Sequence, residues 1–193
     1  MTRILGVDPG SLKTGWAVID AGTSRNAITH VDNGVIVTNP DAPLAERLVR
    51  IARGLADVIA AHRPGMASVE TAYSSKNARS ALVLGQARGA VILTCAQHAL
   101  HVFEYGPMQV KLAVTGSGRS GKESVQAMVA VLAHLPEVAQ EDASDALAIA
   151  LTHAFHAGRP AAVLQALPKG PSRRARKGSR AQWEVVLKAR GAL

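Results

Sequence analysis

Three short apolar runs of strand length, residues 3–7, 14–19 and 34–38, open this chain before any helical pattern appears. Asp8-Pro9-Gly10-Ser11 is turn chemistry between the first two, so the chain is expected to begin as an antiparallel meander. Helical and strand patterns then alternate. Residues 45–62 place Leu48, Ile51, Leu55 and Ile59 on one face and stop at Arg63-Pro64-Gly65. A short buried strand follows at 66–69, ending in Glu70, then a long apolar helix at 78–99, a fifth strand at 101–104, and helices at 122–134 and 141–156. A meander followed by such alternation predicts an α/β fold, a five-stranded mixed sheet flanked by helices.

The net charge of +8 is unevenly placed. Residues 1–158 carry thirteen basic and thirteen acidic side chains, which cancel, whereas residues 159–193 carry nine basic residues and one acid, Glu184. We therefore expect a neutral globular domain at 1–158 and a basic, disordered arm at 159–193. Arg173, Arg174, Arg176 and Lys177 sit in the part of that arm poorest in apolar residues, and suit a polyanion whose counterions they would release. The competing reading is a solvated tail without a partner. No apolar run reaches the eighteen or so residues of a membrane span, the first residues lack a signal-peptide pattern, and the single cysteine, Cys95, cannot form an intramolecular disulfide. These features lead us to expect a cytoplasmic protein without membrane contact.

The acidic residues carry the chemistry. Asp8 ends the first strand and Glu70 the fourth, and in α/β sheets sites gather where loops diverge from strand ends. Asp142 and Asp145 are three apart on the last helix and share a face, but Glu141 and Asp145, four apart, would do so equally well. Glu104 also ends a strand, so spacing alone chooses neither between Glu141 and Asp142 nor between Glu70 and Glu104. Acids in a first helical turn also serve the helix dipole. A carboxylate cluster without counter-charge is unstable, so one that forms should hold divalent cations.

Ile4-Leu5-Gly6-Val7-Asp8-Pro9-Gly10-Ser11, Val69-Glu70, Lys76-Asn77-Ala78-Arg79-Ser80-Ala81 with Leu84-Gly85-Gln86-Ala87-Arg88-Gly89, and Asp142-Ala143-Ser144-Asp145-Ala146-Leu147-Ala148-Ile149-Ala150 together resemble the RuvC family of bacterial Holliday-junction resolvases. The likeness runs in order from residue 1 to about 156 and leaves out the arm. It implies a ribonuclease H-like fold, a homodimer, cleavage of four-way DNA junctions by paired nicks, and branch-migration partners of the RuvA and RuvB type. It also implies that the four metal-binding acids are Asp8, Glu70, Asp142 and Asp145, against Glu141 and Glu104; at the position of Asp142 some members carry His. Two Mg²⁺ ions about 4 Å apart would then activate water and stabilise the leaving 3′ oxygen, with Asp8 bridging them and Mn²⁺ as a substitute.

By the same resemblance Lys111 and Lys122 lie close to the scissile phosphate, Tyr73 stacks on a base near the junction centre, and Lys76 and Arg79 contact phosphates. Gly116 to Lys122 fits most of a phosphate-binding P-loop, but Glu123 stands where that loop needs Ser or Thr. The helix at 78–99 has apolar residues on more than one face, enough to cover the sheet and meet a second copy. His153 and His156, three apart on the last helix, lie two turns or more beyond Asp145 and are expected to stay out of a metal site. Two rival readings remain at this stage. One is a junction-binding module without catalysis. The other is an actin-like phosphate-binding domain, suggested by Gly6 to Gly10, though such proteins need two such domains.

Overall fold

The structure, a computed structural model, describes residues 1–23, 27–71 and 77–157, all within a compact unit spanning Met1–Arg159. Strands β1 (Thr2–Asp8), β2 (Lys13–Ala21) and β3 (Ile28–Val37) form the expected meander. Helix α1 (Leu44–His62), β4 (Met66–Glu70), α2 (Ala78–Gln97), β5 (His101–Tyr105), α3 (Pro107–Thr115), α4 (Lys122–Leu132) and α5 (Glu141–Ala157) follow. The sheet order is β3-β2-β1-β4-β5, with β1 antiparallel to β2 and parallel to β4.

Alternation along the strands builds two cores. Leu5, Val7, Val18, Ile36, Ala67 and Val69 face α1 and α2, where Ile51, Leu55, Ala87, Val91 and Cys95 close over them. Ile4, Ala17, Ile19 and Tyr105 face the other way, under α5, α3 and α4. Cys95 is a small residue of this core, and burial pushes its thiol up to about 11. His153 is equally structural: Tyr105 Oη lies 2.7 Å from its Nδ1, it stacks on Phe103, and burial pushes it down to about 4.

The structure departs from the expected elements in three places. The third strand begins at Ile28 rather than residue 34, because it is a sheet edge where Thr29, His30 and Asp32 are tolerated facing water. Helix α3 was not expected at all, although Pro107 at its first position and Gly116 past its end, at φ 79°, are helix punctuation. The helices expected to reach residues 99 and 134 end at Gln97 and Leu132. Ala99 and His134 instead adopt left-handed φ of 58° and 54° and close each helix with Leu100 N–H donating to Cys95 O and Leu135 N–H to Ala130 O. No helix among the described residues is long and apolar enough to cross a membrane.

Candidate active site

Asp8 and Glu70 come side by side because Val7 and Val69 are in register on parallel strands, each followed by its acid. Strand alternation turns both carboxylates toward α5, opposite to the face taken by Val7 and Val69. Two glycines let α5 come down onto the sheet. A Cβ at Gly6 would lie 2.2 Å from Ala146 O, and one at Gly15, the register partner of Asp8, only 1.9 Å from Asp142 O. Backbone thus meets backbone, and the first turns of α5 bring Asp142 and Asp145 over Asp8.

The electrostatics follow from this placement. Burial, then the charges of Glu70, Asp145 and Asp142, push Asp8 up to about 7, while Lys122 pulls the other way. Glu70 is also raised, by burial first and then by Asp145, against the opposing Lys122 and Lys111. Asp145 is raised by burial despite a Lys122 Nζ contact at 3.1 Å. Asp142 accepts from Gln140 Nε2 at 2.8 Å. A cleft of about 190 Å³ opens here, lined by Glu70, Lys111, Lys122 and Asp145 with Val110 and Val125 at its base. A larger groove of about 430 Å³ runs along α1 past Glu46, Arg50 and Arg53, and gathers no such acids.

The donor set fits a hard divalent cation: it is all carboxylate oxygen, partly buried, and the charges of Glu70, Asp142 and Asp145 all raise Asp8. The carboxylates converge without a finished ligand sphere, since among the described residues no three acidic, histidine or cysteine side chains are grouped as one. Asp8, Glu70, Asp142 and Asp145 would hold the ion, with Lys111 and Lys122 at the rim.

Glu104 and Glu141, the alternatives that spacing left open, sit in different surroundings. Glu104 is the register partner of Val69, so it points to the α2 side, where it pairs with Arg88. Glu141 lies on the site side but pairs with Lys122. Arg79 is exposed in the first turn of α2, behind the Asn77 cap that accepts from Ser80 N–H at 2.8 Å. Tyr73, Lys76, Arg173, Arg174, Arg176 and Lys177 lie outside the described residues. Sequence reasoning missed the brace on the turn after Asp8. Arg47 donates Nε and Nη2 to Ser11 O at 3.1 and 2.8 Å, Thr38 Oγ1 donates to the same oxygen at 2.9 Å, and Thr14 Oγ1 donates to Gly10 O at 2.7 Å. An arginine three residues into a predicted helix is too common to have signalled this.

A five-stranded sheet of this order, with its hairpin start and a helix laid across the first strands beside strand-end carboxylates, defines the ribonuclease H-like class of fold. A family model described as crossover junction endodeoxyribonuclease RuvC matches residues 4–153. The chain belongs to the RuvC family. A relative from Geobacter sp. strain M21 bearing that description is 52% identical over 158 residues, 82% of this chain and 95% of that protein. The structure of T. thermophilus RuvC in complex with a Holliday junction substrate matches with TM-score 0.78 and 34% identity, over 82% of this chain and 96% of that one. The yeast mitochondrial Holliday junction resolvase Ydc2, 10% identical with TM-score 0.55 over 80% of this chain and 79% of its own, shares the fold. The family's nucleases are metal-dependent.

Proposed function

We propose that this chain cuts four-way DNA junctions by paired symmetric nicks, as a crossover junction endodeoxyribonuclease, with Asp8, Glu70, Asp142 and Asp145 holding Mg²⁺. The observation that carries the site assignment is Asp8 itself, a carboxylate pushed up to about 7 by burial among three other acids in a member of the RuvC family. Bound there, two Mg²⁺ ions, or Mn²⁺ in their place, would supply the Lewis-acid charge that activates water and stabilises the departing 3′ oxygen.

The protein's own groups do the rest. Asp8 and Glu70 are rigid because they end paired strands, and the braced turn at Ser11 keeps Asp8 from following the substrate. Lys111 and Lys122 line the cleft as fixed cations that offset charge building on the phosphate during in-line attack. Val110 and Val125 give the cleft an apolar wall beside them. A cation held there would displace the proton from Asp8.

Sequence and resemblance support further assignments. Tyr73 stacks on a base at the junction centre, Lys76 and Arg79 hold phosphates, and Arg173, Arg174, Arg176 and Lys177 add non-specific DNA affinity from a basic arm at 159–193 that follows the nuclease domain at 1–158. Two copies act together, each giving one nick; Leu82 and Leu93, exposed on α2, offer an apolar contact for the second copy. RuvA and RuvB type proteins and the cytoplasm complete the setting. Incubation of a synthetic four-way junction and a linear duplex with the protein, with and without Mg²⁺, tests the reading. Metal-dependent symmetric nicks in the junction alone are expected; junction binding without nicking in any metal would overturn it in favour of a binding module.

A further inference from the structure

Lys122 Nζ lies between two carboxylates, Asp145 at 3.1 Å and Glu141, which it also contacts. Partial burial pulls Lys122 down, but the bonds to Glu141 and Asp145 outweigh it and hold the ammonium charged. Lys122 and Glu141 are the first residues of α4 and α5, so the pair also ties two helix starts at the rim of the cleft. Glu141 is not a fifth member of the acidic cluster. Asp8 is perturbed by Glu70, Asp145 and Asp142, whereas the charge of Glu141 reaches Asp145. Its side chain is 64% exposed against 32% for Asp145, so water screens its direct influence on a bound ion.

We propose that Glu141 is a positioning residue: it keeps Lys122 at the rim when a divalent cation claims Asp145. This rests on the reading of Asp145 as a cation-holding residue. A divalent cation on Asp145 would place like charge beside an ammonium that now sits 3.1 Å from the same carboxylate, so ion and lysine compete for it. With Glu141 present, Lys122 gives up Asp145 and keeps a partner in place. With Glu141 neutralised, Asp145 is its sole carboxylate, and the lysine competes with the ion. Glu141 thereby favours cation binding through Lys122 while leaving the lysine poised beside the phosphate.

Direct titration of the metal-free protein with Mn²⁺, followed by calorimetry without DNA, tests this in wild type, Glu141→Gln, Lys122→Met and the double variant. Glu141→Gln should weaken Mn²⁺ binding about two- to fivefold. In the Lys122→Met background the same change should shift binding by less than about 1.5-fold, which is the coupling a double-mutant cycle isolates. Glu141→Asp should restore part of the loss. Equal weakening in both backgrounds would mean that Glu141 acts by its field alone and would overturn the proposal, as would no change in Glu141→Gln. If wild type binds no Mn²⁺, the cation reading of Asp145 itself fails, and this inference falls with it.

Discussion

At the N-terminal end of β1, Arg3 grips Asp20 of β2 through Nε and Nη2 at 2.8 and 2.7 Å; at the C-terminal end, Asp8 faces Glu70, Asp142 and Asp145 with Lys122 as counter-charge. The consequences run in opposite directions. The guanidinium holds Asp20 below the usual carboxylate range, while burial and like charges push Asp8 far above it. A carboxylate that the fold pairs contributes stability; one that it buries among other acids takes stability away. The first needs no ligand to account for it, whereas the second makes sense where a cation is bound.

The largest effect expected from this contrast is at Asp8. Asp8→Asn should lower junction cleavage by about three orders of magnitude or more, roughly the 4 kcal/mol of transition-state charge stabilisation that a metal supplies. The same variant should make the metal-free protein more stable. The folded carboxyl titrates near 7 and the unfolded one near 3.8, so the folded state binds more protons between these values and wild-type stability falls as pH rises through that window. The gain of the Asn variant should therefore be absent near pH 4 and complete above pH 7, on the order of 2 to 4 kcal/mol. Thermal melts of both proteins in chelator across that range check it. A variant no more stable than wild type at pH 8 would break the contrast between the two ends.

Gly15→Ala probes how the acids are brought together. The new Cβ would stand 1.9 Å from Asp142 O, so α5 must lift from β2. The expected loss is about 3 kcal/mol of stability, together with cleavage reduced further than the remaining folded fraction accounts for. Urea unfolding and a cleavage assay at a temperature where the variant is folded separate the two effects.

Asp20→Asn is the control at the opposite end. Its contribution is present above the ordinary carboxylate pKa and is lost as pH falls through the lowered folded value, opposite in sign to Asp8. The melting temperature should fall by about 2 to 4 °C at pH 7, and cleavage should be unchanged. A loss of cleavage would show that the far end of β1 is coupled to the site.

Much of this contrast was legible in the residues, for stated physical reasons. Short apolar runs placed β1, β2 and β4, because strands covered on both sides have few polar interruptions. Asp8 and Glu70 stood out as acids closing apolar strands. Face, however, depends on register between strands distant in sequence, so only the pairing of Val69 with Glu104 separates Glu104 from Glu70. Glu141 and Asp142 differ by one step of a helix, and what divides them is where α4 delivers Lys122. Helix α3 escaped notice because nine residues give too short a window for periodicity.

The ends of two helices were hidden because Ala99 and His134 occupy positions where glycine is the usual signal, and this leads to the smallest prediction. Ala99 closes α2 at φ 58°, with its N–H on Ala96 O and the Leu100 N–H on Cys95 O at 3.0 Å. An L-residue there is strained by roughly 1 to 2 kcal/mol, and glycine removes that strain while adding about 0.5 to 1 kcal/mol of entropy to the unfolded chain. Ala99→Gly should accordingly stabilise the protein by about 0.5 kcal/mol, read as a rise of about 1 to 2 °C in melting temperature. Ala99 lies two residues before β5, which runs parallel to β4 and β1, so it sits at the same end of the sheet as Arg3 and Asp20. Cleavage should not change. At this end, then, stability can be added without touching the acids, while at the Asp8 end each gain made by neutralising an acid would remove a carboxylate from the proposed cation site. A stabilised Ala99→Gly protein with reduced cleavage would break that division.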